Sequence, residues 1–131
     1  MFISGKWYIA RKGVCCDAYC RQENLACSKN GMLNHNSDVD TSKKVVTLIK
    51  KLGGNLSTTN CKEGYNFHET VPKFSSSKNT CYYSAPNRPV GTIDCTVTPY
   101  EYEQRLCFCH KAKGKIELNE KIQLHFKSIK V

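Results

Sequence analysis

The clearest periodicity in the chain is an apolar stripe at Val45, Leu48, Ile49 and Leu52, the i, i+3, i+4, i+7 spacing of one helix face. It predicts an amphipathic helix over residues 41–52. Asp38, Asp40, Thr41 and Ser42 supply capping groups and favourable charge at its start. Lys50 and Lys51 suit its last turn, and Gly53-Gly54 ends it. The stripe is expected to bury against strands with Trp7 nearby, leaving the helix lysines as a solvated face.

Other segments give shorter signals. Residues 5–10 read as a strand, with Trp7 and Tyr8 suited to a pleated surface. Residues 16–23 read as a short helix that places Cys16 and Cys20 on one face, with Asn24 as a left-handed stop. From 55 to 80 the chain is polar and turn-rich, and Tyr65, Phe67, Val71, Pro72 and Phe74 are its sizeable apolar groups. Residues 81–84 read as a strand that ends in the turn at 86–89. Residues 105–110 read as another, with Leu106 and Phe108 on one face and two cysteines on the other. After a polar linker at 111–115, Ile116 and Leu118 alternate with polar residues, as do Ile122, Leu124 and Phe126. A half-buried strand or a hairpin turning near Asn119-Glu120 follows. Together these predict a small α+β domain over residues 1–110, with one amphipathic helix, one short helix and short antiparallel strands. A linker and β-prone tail occupy 111–131.

Nine cysteines in 131 residues change that picture more than any other composition feature. A domain this small buries a modest share of its unfolded surface, so cross-links supplement its core. Structural zinc would require paired thiolates two to four residues apart, usually in two knuckles. The chain has one three-residue gap, between Cys16 and Cys20, a single-residue gap between Cys107 and Cys109, and no C-x-x-C. We therefore expect four disulfides among Cys16, Cys20, Cys27, Cys61, Cys81, Cys95, Cys107 and Cys109, and no metal. Cys15 is the odd thiol, unpaired or bonded to another chain. Four residues of helix rise about 6 Å and two of strand about 6.6 Å, so Cys107 and Cys109 fit two of the N-terminal helical cysteines. Such cross-linking implies an oxidising compartment: secreted, cell-surface or lumenal. Lys6, Arg11 and Lys12 interrupt any signal-peptide apolar region, so a mature product or a part of a larger protein is expected.

Charge adds a net +9, concentrated as +5 in residues 1–60 and +4 in 111–131, with residues 61–110 neutral. The plain reading is solubility in a lysine-rich background; the functional one is attraction to acidic glycans, anionic membranes or nucleic acid. No nucleic-acid motif and no run of 18 apolar residues occurs, so neither a nucleic-acid partner nor a membrane span is expected.

Catalytic chemistry has little to stand on. His35, His68, His110 and His125 are available to a thiol, but no nucleophile motif surrounds any cysteine. Asp94, Glu101 and Glu103 lack the spacing of a calcium loop and read as a solvated loop. No glycine loop cradles a phosphate, and no cofactor is implied. Asn55-Leu56-Ser57 is a glycosylation sequon, usable if the chain enters the secretory pathway. Tyr82, Tyr83, Tyr100 and Tyr102 flank proline turns, where such rings either contact protein or sugar or pack over disulfides.

The order of these features resembles a known family. Trp7, Cys16-x-x-x-Cys20, Leu25 and Cys27 precede a helix and Cys61. Val71-Pro72-x-Phe74, Cys81-Tyr82-Tyr83, Cys95 and Arg105-Leu106-Cys107-x-Cys109 follow. This frame, over about residues 7–110, is similar to the cysteine-rich C-terminal region of Golgi α-1,6-mannosyl-glycoprotein N-acetylglucosaminyltransferases of the transferase V type. Similar modules occur in secreted or surface proteins of protists and algae. The transferase's catalytic portion has no counterpart here, so the resemblance implies an accessory module without sugar transfer. Cys15 and the tail fall outside the family pattern.

The expected function is a non-catalytic binding or structural module in a larger extracellular or lumenal assembly. The alternative is an accessory domain of a glycan-processing enzyme, contacting the enzyme or its glycan. The alternating Ile122, Leu124 and Phe126 are the candidate contacts with a protein partner, because an apolar strand with free backbone groups pairs readily with another sheet's edge. Folding back on its own domain is the other outcome for that segment.

Overall fold

A computed structural model describes residues 4–65 and 68–112. The alternating tail lies outside them, and so do its contacts Ile122, Leu124 and Phe126. Strand β1 (Gly5–Ile9) leads to helix α1 (Cys16–Gln22), helix α2 (Lys29–Asn34), a 3-10 turn at Asn36–Asp38 and helix α3 (Ser42–Lys51). Strands β2 (Glu63–Tyr65), β3 (Lys73–Ser75) and β4 (Thr80–Ser84) follow, then a 3-10 turn at Val90–Thr92 and strand β5 (Gln104–His110).

The strands form one sheet in the order β1-β5-β3-β4-β2. The expected antiparallel pairing describes β1, β5, β3 and β4, whereas β2 joins β4 in parallel. Both β2 and β3 lie in the stretch read as turn-rich. β3 escaped the pattern because two of its three buried residues, Lys73 and Ser75, are polar. Lys73 is buried because Glu103 meets it from 30 residues away, a pairing that local periodicity does not carry.

The helices begin where the sequence offers caps. Cys15, Ser28 and Thr41 each accept a hydrogen bond from an amide in the first turn of α1, α2 and α3 respectively. Asn24 has a φ of 60° after α1. Gly53, at 86°, ends α3. Gly54 follows at close quarters: a Cβ there would sit 2.6 Å from Ile49 Cγ2 and 2.9 Å from Ile9 Cδ1. The helix α2 went unread because Gly31 and two asparagines dilute its six residues.

Two apolar clusters fill the domain. One gathers Ala10, Met32, Ile93 and Phe108 around the cysteines of α1 and β5, with Cys95. The other packs Val45, Val46 and Ile49 of α3 against Val39, Leu56, Phe74, Cys81 and Leu106. The stripe of α3 therefore departs from the expectation. Val45 and Ile49 are fully buried and Val46 nearly so, while Leu48 and Leu52 are only half-buried. The helix turns Val46 into the cluster, with β4 packed against α3, and Leu48 lines a groove beside Trp7.

Candidate functional site

The eight cysteines read as a disulfide frame form four bonds. α1 presents Cys16 and Cys20 one turn apart, and β5 presents Cys107 and Cys109 on one face. They join as Cys16–Cys107 and Cys20–Cys109, with Cα separations of 5.3 and 5.4 Å. Cys27 bonds Cys95 and Cys61 bonds Cys81. Cys15 stays a free, half-buried thiol, engaged as the cap of α1. Among the described residues no group of three or more His, Cys, Asp or Glu side chains could hold a metal, and no helix is long and apolar enough to cross a membrane. Four disulfides fit an oxidising compartment.

Two arginines are buried without a carboxylate in hydrogen-bond contact. Arg105 donates to the carbonyls of Asp94, Val97 and Glu69, each at 2.9 Å. Arg88 donates to the carbonyls of Val71 at 2.6 Å, His68 at 2.9 Å and Thr92 at 2.8 Å. Burial pushes each guanidinium down to about 10, which leaves both charged at neutral pH. Residues 68–71 are thus clamped from two sides, just ahead of the cis peptide Val71–Pro72. No local pattern announces this, because the carbonyls that hold each guanidinium come mostly from other parts of the chain; Arg105 Nε is left without a hydrogen-bond partner. Next to the clamp, His68 faces Thr70 Oγ1 at 2.9 Å, and burial with the nearby Lys73 holds its imidazole below the ordinary value.

Among the described residues, His35 and His110 are both engaged. His35 is 8% exposed and stacks on Phe108 at 3.7 Å. His110 Nε2 meets Ser28 Oγ at 2.9 Å, but its Nδ1 faces the carbonyl of Lys111 rather than a carboxylate. The Ser28 hydroxyl is also engaged, as the cap of α2. That geometry lacks the acidic group that orients a catalytic imidazole.

The loop carboxylates require a correction. Glu103 is not solvated: it is 5% exposed and bonded to Lys73 at 3.0 Å. Asp94 accepts from the amide and hydroxyl of Thr96, which lower its carboxyl, and Glu101 is exposed.

Three of the four tyrosines singled out by sequence come together over this ion pair. Lys73 Nζ lies 5.3 Å from the ring centre of Tyr82 and 5.8 Å from that of Tyr100. Tyr100 stacks on Tyr102 with centroids 5.7 Å apart and planes 13° apart. Lys78 Nζ sits 4.4 Å over the Tyr102 ring. Tyr100 is 65% exposed, yet its amide donates to Glu103 Oε1 at 3.2 Å, so its backbone is tied to the buried pair. Tyr83 is apart from them and packs on the cluster of α3. Asn55 of the sequon is exposed, and its carbonyl accepts from Ser76 Oγ at 2.5 Å.

The arrangement as a whole offers a rigid frame and an aromatic, cationic ledge. No protein-family model matches the chain, and no curated protein matches it.

Proposed function

We propose that the chain is a non-catalytic binding or structural module of an extracellular or lumenal assembly. The observation that carries this reading is the tyrosine ledge: an exposed ring stacked on a second, with its backbone anchored to a buried ion pair on a cross-linked sheet. Rings held this way bury large area on a partner while losing little conformational freedom, which favours association. The cationic rim of Lys78 suits a partner surface with acidic groups. Asn55 would carry a glycan in this setting.

The accessory-domain reading has its own support. The residues that carry the resemblance to the transferase V type, Cys16, Cys20, Arg105, Cys107 and Cys109, are the ones that bond to one another or lie buried in β5. They are scaffold residues, so they support a shared frame and not a shared activity.

The test is light scattering and cross-linking mass spectrometry on the chain secreted from its own cells, beside the Tyr100→Ser variant. An assembly that Tyr100→Ser disperses, with thermal midpoint unchanged, is expected. A chain that is monomeric in its own secreted milieu would overturn the reading, as would turnover of a nucleotide-sugar that one polar substitution abolishes.

A further inference from the structure

A second surface lies on the opposite kind of terrain, a groove where β1 meets α3, and it shares no residue with the tyrosine ledge. Trp7 and Leu48 form its apolar floor, and Ser37, Asp38, Thr47 and the lysines 43, 44 and 51 form its walls. Its volume is about 660 Å³, and it opens broadly to solvent.

The charges in this groove are not equivalent. Lys44 Nζ is held by the carbonyl of Ser37 at 2.8 Å and by Asp40 at 2.9 Å. Asp38 accepts from Trp7 Nε1 at 3.0 Å and lies 3.3 Å from His35 Nδ1. Among the described residues, Lys43 and Lys51 have neither an ion pair nor a hydrogen bond through their side chains. They stand eight positions apart on α3, about 12 Å along its axis. The groove therefore offers two uncommitted cations spaced along α3, a fixed indole, a leucine, and the hydroxyls of Ser37 and Thr47. The indole cannot swing away, because Asp38 holds its nitrogen and Phe108 packs edge-on at 5.5 Å.

We infer that this groove binds a short stretch of linear anionic polysaccharide, a chain of sulfated or uronic-acid sugars. Such a chain repeats its anions along a line, matching two cations spaced along α3, and shows apolar C–H faces between its anions to the indole and Leu48. Its hydroxyls take up Ser37 and Thr47. An acidic peptide is the rival occupant, since β1 is an edge strand that an extended segment could pair with. An indole beside two lysines and two hydroxyls matches a sugar chain more closely, and the peptide probe below separates the two. The chain's net charge of +9 draws any polyanion, but charge alone does not choose this groove. The lysines of α3 thus do more than keep the helix solvated.

Trp7 is the sole tryptophan, so its fluorescence reports the groove directly. The full 131-residue chain is titrated with a heparin hexasaccharide, a neutral hexasaccharide of the same length and a hexaglutamate peptide. We expect a saturable change in Trp7 emission with the sulfated sugar, at least tenfold weaker with either other probe. The double variant Lys43→Ala/Lys51→Ala weakens binding at least tenfold. The control Lys50→Ala/Lys62→Ala removes the same charge from exposed positions outside the groove and changes binding less than twofold. Equal losses in the two variants would overturn the inference in favour of net-charge attraction. Equal binding of hexaglutamate would overturn it in favour of a protein segment, and equal binding of the neutral sugar would remove its anionic basis. Circular dichroism of each variant establishes that the fold is retained. Failure here leaves the tyrosine ledge untouched.

Discussion

The two halves of the domain are held by different physics. Around α1 and β5 the interior is largely sulfur: Cys16, Cys20, Cys95, Cys107 and Cys109 are buried there, with Ala10, Met32, Ile93 and Phe108 among them. Around α3 the interior is largely aliphatic, with Phe74 among the valines and leucines, and one disulfide, Cys61–Cys81, closes a span of 20 residues at its border. The first half joins residues that are 68 to 91 positions apart, whereas the second relies on side-chain fit. The contrast shows where each kind of force is useful. Long-range closure costs the most entropy and is made covalent. Local burial on an amphipathic helix costs less and is left to the hydrophobic effect.

The sharpest way to break this contrast is to remove bonds from the sulfur half one at a time and then together. Cys16–Cys107 and Cys20–Cys109 close nearly the same loop, so either alone keeps it closed. Replacing one pair by serines is expected to cost about 2 kcal/mol, and replacing both about 6 kcal/mol, more than the two single losses together. Urea unfolding with m fitted for each variant measures this. Single losses that sum to the double loss would show that the two bonds are not redundant. The lone Cys61–Cys81 bond, with no second bond to stand in for it, is expected to cost about 3 kcal/mol.

The aliphatic half answers to cavity formation instead. Ile49→Ala empties a fully buried site and is expected to cost about 2 to 5 kcal/mol. Leu48→Ala, at the half-buried groove, is expected to cost about 1 kcal/mol, and unfolding free energies of the two variants read the difference. Comparable losses would place Leu48 in the core after all.

The smallest effect distinguishes the clamped segment from both halves. His68 has an imidazole pKa lowered by burial and by Lys73, below its value of about 6.5 in the unfolded chain. The unfolded state therefore takes up the proton more readily. The contribution is fully present above pH 6.5 and is lost as pH falls through 6.5 toward the folded value. A shallow fall in unfolding free energy from pH 7 to pH 5, flattened in His68→Gln, is the expected outcome.

How far the sequence could be read follows the same division. β1, α1, α3, β4 and β5 were legible to within about a residue, because caps, stops and periodicity are local. The reach of Cys107 and Cys109 to the helical cysteines was legible too, because the rises of one helix turn and of two strand residues nearly match. What stayed hidden depends on partners far along the chain. Glu103 makes β3 buriable, backbone carbonyls make Arg88 and Arg105 buriable, and β4 packs against α3. The tyrosine ledge was half legible: the ring types were visible, but the ion pair that gathers three of them and leaves Tyr83 aside was not. The groove was missed because Trp7 and the lysines of α3, far apart in sequence, line it together only in the folded chain.

The same pairing has a mechanical consequence. Gly5 lies opposite His110 in the β1–β5 register, so the described domain is entered and left at one point. Tension applied between those ends would peel β1 from β5 residue by residue and then arrive at Cys16, Cys20, Cys107 and Cys109. From there the load runs through α1 and two sulfur bridges, and the chain from 21 to 106 lies off the force path. Stretched between neighbours, the domain would lengthen only by the strand it sheds: the groove would lose Trp7 with β1, while the tyrosine ledge, which lies between residues 21 and 106, would keep its shape under load.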